Sequence, residues 1–273
     1  MNNFKQLSAA IALTLAVTSA QAIVITTDTS AASLTAALTA GSTGLTVLSS
    51  TLAGHSTSSG TYTNVSGTYG IGPGIVISSG NVLDYGDGPN TSGSKTTAYD
   101  VGASAAQNTL LTAVSGASNY LDVTQLDVNF TTSTGSVFFN VVFGSDEYAE
   151  FVNSTFIDAF GLFLNGVNIA LFAGSPININ HPLMAFRSGT ELDGVLPGSG
   201  GPMLFSASGL STTAPHVLTF IIADRGDASL DSTAYIASLG GTKPPNGVPE
   251  PASLALLGIG LAGLSAMRRK QRA

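Results

Sequence analysis

Two short stretches concentrate the acidic side chains of this chain. Gly144 to Asp158 (GSDEYAEFVNSTFID) carries Asp146, Glu147, Glu150 and Asp158, and Ala223 to Asp231 (ADRGDASLD) carries Asp224, Asp227 and Asp231. If the strands before them are sheet neighbours running the same way, both stretches leave at one edge and their carboxylates converge. Calcium is then the fitting ion, because it accepts about six to eight oxygen ligands from irregular loops, backbone and Asn carbonyls included. Zinc lacks suitable ligands: there is no Cys, and His55, His181 and His216 are scattered. Glu147 and Glu150 stand three apart, so a helical turn sets like charges side by side, which a cation would offset. Neither stretch has EF-hand spacing. The competing reading makes these acids turn and capping residues, with Asp231 closing a turn through its own backbone.

Catalytic readings are weaker. Ser145 lies in FGSDE, which is not a G-x-S-x-G elbow, and no His stands near it in sequence to form a triad. Two of the acids could act as a glycosidase couple, but their separation is not readable from sequence. Trp, frequent in sugar clefts, is missing. Tyr148, Phe151 and Phe156 read as plugs beneath the acidic loop instead of a binding platform. Arg225-Gly226-Asp227 spells an adhesion tripeptide, a weak signal in a Gly- and Asp-rich loop. The expectation is a domain without enzymatic activity, the alternative a secreted glycan-active enzyme that uses the acidic loops.

The elements that position these loops are mainly strands. Leu126, Val128 and Phe130 alternate with polar residues, as do Val137, Phe139, Val141 and Phe143 after a Ser-Thr-Gly turn; a hairpin joining the two rows is expected. Phe160 to Leu164 and Val167 to Phe172 flank Asn165-Gly166, which supplies the positive φ angles of a type I′ hairpin. Gly74 to Ser79 reads as a short buried strand between glycine-rich turns. Val217 to Ile222, apolar on both faces, fits a central strand, and Tyr235 to Leu239 another. Short helices are expected at Ser33 to Ala40, stopping at Gly41, and at Ala103 to Val114. A β-sandwich, jelly-roll-like, with one or two short helices follows.

Both ends carry addresses. Residues 1–22 hold Lys5 as their one charge, an apolar run from Leu7 to Val17 and the triplet Ala20-Gln21-Ala22. This is a signal-peptide layout, with the Sec translocon and signal peptidase as partners and cleavage after Ala22. At the other end, Pro249 and Pro251 bracket Glu250, Ala252 to Met267 is uncharged and apolar, and Arg268, Arg269, Lys270 and Arg272 follow. A transmembrane helix over 252–267 with a cytoplasmic basic tail, 268–273, places the intervening chain outside the inner membrane. The expected domain is 23–241, joined to the anchor by a Pro-rich linker, 242–251.

Between Ile23 and Gly247, four basic residues face fifteen acidic ones, a formal charge of −11. That balance excludes nucleic acid as a partner and leaves cations as natural small ones. Absence of Cys in an exported chain means that packing, aided by bound ions, holds the fold.

Two resemblances follow from these residues. The proline-glutamate-proline motif, apolar span and arginine-rich end, in that order, are similar to the PEP-CTERM sorting signal. This implies a Gram-negative bacterium, an exosortase cutting near Pro249 to Pro251, and a product at the cell surface or in the extracellular matrix, often with exopolysaccharide or biofilm. The central region, about Ala31 to Gly240, resembles the choice-of-anchor L domain through GIVISSGNV (74–82), FGSDEYAEF (143–151), DAFGLFLNGVNIA (158–170) and IADRGDASLDSTAYI (222–236). The resemblance implies an extracytoplasmic β-rich module with no established activity or ligand and carries no catalytic residues over; the expected function is a surface or matrix module that binds matrix polymer, a neighbouring protein or another copy of itself. Arg225, between Asp224 and Asp227, is unexpected beside a metal.

Overall fold

The structure, a computed structural model, describes residues 23–86, 90, 94–187, 190–198 and 201–244. The expected signal peptide with Ala22, the residues Pro249, Glu250 and Pro251, the expected span and the expected basic tail with Arg268 and Arg269 lie outside these. Among the described residues no helix is long and apolar enough to cross a membrane.

In chain order the elements begin with β1 (Ile23–Thr27), α1 (Ala31–Leu38), β2 (Leu45–Ala53), β3 (Ser59–Asn64), β4 (Gly74–Ser78), α2 (Ala105–Ser115), β5 (Tyr120–Thr132) and β6 (Ser136–Ser145). They continue with β7 (Ala159–Leu164), β8 (Val167–Asn168), β9 (Leu171–Phe172), β10 (Ser175–Asn178), β11 (Ala185–Phe186) and β12 (Gly194–Leu196). The last three are β13 (Met203–Ser208), β14 (His216–Arg225) and β15 (Ser232–Gly240). One sheet has the order β1-β3-β4-β15-β6-β12-β11, with β13 also on β6; the other has β2-β5-β14-β7-β10-β9, with β8 on β7. Every pairing is antiparallel.

The hairpin expected between β5 and β6 does not form. β5 lies between β2 and β14, and β6 between β15 and β12, in the opposite sheet. Leu126, Val128 and Phe130 therefore meet Val137, Phe139, Val141 and Phe143 across one buried core instead of side by side. Alternation records which face of a strand is apolar, and both arrangements satisfy it. The chain crosses between sheets at the Ser133-Thr134-Gly135 turn, where Gly135 has φ +67°. Phe139 and Phe220 close the core edge to face, ring centres 5.5 Å apart, worth roughly 0.5–1.5 kcal/mol beyond the area they bury.

The Asn165-Gly166 turn forms as its residues require, with φ of 51° and 80° joining Leu164 to Val167. β14 is central and covered twice. Leu218, Phe220 and Ile222 face the core between the sheets, while Ile221 and Ala223 pack with Leu111 and Val114 of α2; Val217 at its start is partly exposed. α2 opens on a capping box made by Ser104 and Gln107, and ends at Gly116 in the left-handed conformation. α1 starts two residues earlier than expected because the Ser30 side chain accepts from the backbone of Ser33.

Candidate functional site

The inward-facing rows of several strands finish in polar residues at one end of the sandwich. Ile75 and Ile77 of β4 lead to Ser79, and Val141 and Phe143 of β6 lead to Ser145. Phe130, Val128 and Leu126 of β5, traced backwards, lead to Thr124 and Asp122. Leu162 and Phe160 lead back to Asp158, Phe220 and Ile222 lead to Asp224, and Ile236 and Ala234 lead back to Ser232. Antiparallel pairing gathers these ends. Ser145 is opposite Ser232 in one sheet, Ala223 is opposite Ala159 in the other, and the Ser232 hydroxyl crosses to donate to Asp158 Oδ2 at 2.9 Å.

The acids at this end are inside. Asp158, Asp224 and Asp231 are 0% exposed, Asp146 1% and Glu147 2%. Most find donors in the main chain. Asp146 accepts from the backbone of Lys95 at 3.1 Å and of Asp193 at 3.3 Å. Asp231 accepts from the backbone of Thr97 at 3.0 Å and from the Tyr85 hydroxyl at 3.2 Å. Asp122 accepts from Tyr99 and Val101, each at 2.8 Å, and from Asp100 at 3.3 Å. Residues 95–101 thus form a strap whose N–H groups lie over three carboxylates.

Asp158 has two donors, the Ser232 hydroxyl and the backbone of Arg225 at 3.1 Å. Asp224 lies beside Asp158 and Ser79, yet neither of its buried oxygens makes a hydrogen bond. Burial first, and neighbouring carboxylates second, push Asp158 and Asp224 well above the usual carboxylate range. Burial likewise raises Asp146 and Glu147 to about 8 and Asp231 to about 6, against the backbone hydrogen bonds that lower them.

Residues 22–184 match the choice-of-anchor L domain, and residues 247–270 match the PEP-CTERM protein-sorting motif. The first match covers more than half of the chain. The chain belongs to the choice-of-anchor L domain family. No curated protein and no solved structure matches it. The sorting motif is the substrate signal of exosortase, so this choice-of-anchor L protein is exported through a membrane-anchored precursor and sorted to the cell surface. The matched part of the domain stops before β14 and β15, both central strands, and so includes Asp146, Glu147 and Asp158 but not Asp224 or Asp231.

Five of the seven acids singled out in the sequence, Asp146, Glu147, Asp158, Asp224 and Asp231, are buried at this end of the choice-of-anchor L domain; Glu150 and Asp227 are exposed at its surface. The two loops converge although β6 and β14 are not sheet neighbours: they face each other from opposite sheets and end at the same place. The turn at 146–153 does not set Glu147 beside Glu150, since Glu147 points in and Glu150 out. Asp231 does not close a turn on its own backbone, because its backbone donor is Thr97; Asp227 does, accepting from Ser229 at 3.3 Å. Arg225 is no competitor for a cation, because its guanidinium donates to the Thr155 carbonyl.

Tyr148 is half-buried against the core and donates to the Met184 carbonyl at 3.3 Å, while Phe151 and Phe156 meet edge to face. Among the described residues no group of three or more His, Asp or Glu side chains is placed to hold a metal ion as it stands. Sequence reasoning missed Asp122, Tyr85 and the 95–101 strap. Counting back by twos from Leu126 would have found Asp122 on the inward face.

Proposed function

We propose that the mature chain is a non-enzymatic structural or adhesion module of the bacterial surface or extracellular matrix, associated with exopolysaccharide or biofilm in a Gram-negative host. The observation that carries this reading is the closure of the acidic end. A hydrolase needs carboxylates that reach substrate in a concave, accessible site. Here Asp158, Asp224 and Asp231 are 0% exposed, and the 95–101 strap is bonded through its main chain to Asp231, Asp146 and Asp122. A recess of about 270 Å³ lies nearby, but of these acids only Asp122 lines it, with His55, Tyr99 and Gln107, and Asp122 is committed to three backbone donors.

The C-terminal signal completes the reading. The apolar 252–267 segment holds the precursor in the inner membrane until cleavage near Pro249 to Pro251 releases the domain on its Pro-rich stalk. The test is incubation of the purified protein with the host's own exopolysaccharide, followed by reducing-end and co-sedimentation assays. Sedimentation with the polymer and no new reducing ends are expected. Reducing ends above those of a boiled control would replace this reading by that of a glycan-active enzyme.

A further inference from the structure

Six inward rows end in serines, threonines and carboxylates, so the space between the sheets changes there from hydrocarbon to oxygen. Among the described residues, Asp224 is the one carboxylate of this end with both oxygens buried and without a hydrogen-bond partner. β7 runs beside β14 with Ala223 opposite Ala159, so the next position along brings Asp224 against Asp158. Like charges directly opposite in a sheet repel, and a buried ionised group without a partner is far costlier than a paired one. Burial favours the protonated form at both positions, and a divalent cation between them would neutralise the pair without those protons. Asp231 also acts on Asp224, and Glu147 on Asp158, so several carboxylates would share whatever positive charge enters this end.

Every donor atom at hand is oxygen: the carboxylates of Asp158, Asp224, Glu147 and Asp231 and the hydroxyls of Ser79 and Ser232. Such a set suits a hard divalent cation that tolerates irregular geometry, and it holds none of the nitrogen or sulfur ligands that select zinc.

We propose that Asp224 and Asp158 hold a calcium ion at the closed end of the sandwich, fastening β14 and β7 of one sheet to the start of β15 in the other. Glu147 and Asp231 are the carboxylates that complete it. Since no three of these side chains are gathered to metal distance as they stand, binding draws one of the latter two inward. The site ties the fold together at the point where an exported, cysteine-free protein has no disulfide to do so.

The exported protein, stripped with EDTA at pH 7, is titrated with CaCl2 by calorimetry, and its melting is followed by circular dichroism. One calcium per chain is expected, with Kd of roughly 10⁻⁴ to 10⁻³ M as in other extracellular modules. In 10 mM CaCl2 the Tm should rise by about 3 to 10 °C, and MgCl2 should bind at least about tenfold more weakly. Asp224→Asn should lose at least about tenfold in calcium affinity yet melt in EDTA no lower than the parent, because the amide is neutral without having to take up a proton. Glu150→Gln, on the exposed side of the same loop, should bind calcium as the parent does. Equal Tm in CaCl2 and EDTA, magnesium binding as tight as calcium, or undiminished calcium binding by Asp224→Asn would each overturn the assignment. If Asp224→Asn does not fold, Asp158→Asn and the parent titration decide in the same terms.

Discussion

Asp224 follows Ala223, whose cross-strand partner is Ala159, and so its buried carboxylate is set against that of Asp158 with no hydrogen bond of its own. Two neighbouring strands thus end their inward rows on the same charge. Such a pair is destabilising unless a proton or a cation intervenes, and with the other buried acids of this end it ties the fold's stability to pH.

In EDTA the protein should become less stable as pH rises. Asp146 and Glu147 titrate near 8 and Asp231 near 6 in the folded protein, against about 4 for carboxylates in an unfolded chain. Between these limits the folded state binds more protons than the unfolded one, so stability falls with pH from about 4 up to about 8, and Asp158 and Asp224, raised by burial in the same direction, add to the fall. Each group contributes at most about 1.4 kcal/mol per pH unit while it titrates. Urea denaturation at pH 5, 6, 7 and 8 measures the slope. A flat or rising profile in EDTA would show that these acids are not held in a protonated, buried state.

Much of this frame was legible in the sequence, for reasons that can be traced to particular residues. Asn165-Gly166 announces its turn because positive φ is a local requirement that few residue types meet. Val217 to Ile222 announces a buried strand because only a doubly covered strand tolerates apolar residues on both faces. Which sheet β5 and β6 join was not legible, since Leu126 and Phe139 show the same alternation whether they sit side by side or across a core. The strap was hidden for a different reason: Thr97, Tyr99 and Val101 act through their main-chain N–H groups, which every residue but proline offers. Glu147 and Glu150 were separated only by the way the loop turns, which their spacing does not determine.

Asp122→Ala should loosen that strap. The substitution leaves the N–H groups of Tyr99, Asp100 and Val101 without their acceptor, at a cost of roughly 1–3 kcal/mol. Hydrogen exchange should show faster exchange of these three amides, while the β14 amides keep their protection. Asp122→Asn retains one carbonyl oxygen and should lose less. Equal protection in Asp122→Ala and the parent would mean that the carboxylate does not hold the segment.

Gly80→Ala should act on Asp231 directly. A Cβ at position 80 would fall 1.6 Å from Asp231 Oδ2, so the carboxylate must leave its place and release Thr97 and Tyr85. A loss of about 2–4 kcal/mol in urea denaturation is expected for this combination of overpacking and broken hydrogen bonds. Gly166→Ala, where a Cβ meets nothing within 4 Å but φ is +80°, serves as the contrast. It carries the backbone penalty alone, about 1 kcal/mol, and should leave the Thr97 amide protected.

Processing offers the last prediction, and it concerns what the sorting motif at 247–270 does to the domain it carries. In the function proposed above, the Arg268, Arg269, Lys270 and Arg272 cluster stays on the cytoplasmic side, because moving clustered guanidinium and ammonium groups through hydrocarbon is costly. On the proposed reading, cleavage outside the membrane at the proline-flanked Glu250 is the step that frees the domain. Intact-mass analysis of protein from the medium and from the membrane fraction should find a released form that starts at Ile23 and ends near Pro249 to Pro251. Replacing Pro249, Glu250 and Pro251 together by alanine should leave full-length tail on the chain and shift it to the membrane fraction, with the domain's melting unchanged. Release of the triple-alanine protein at the parental level would mean that the motif is not the processing site.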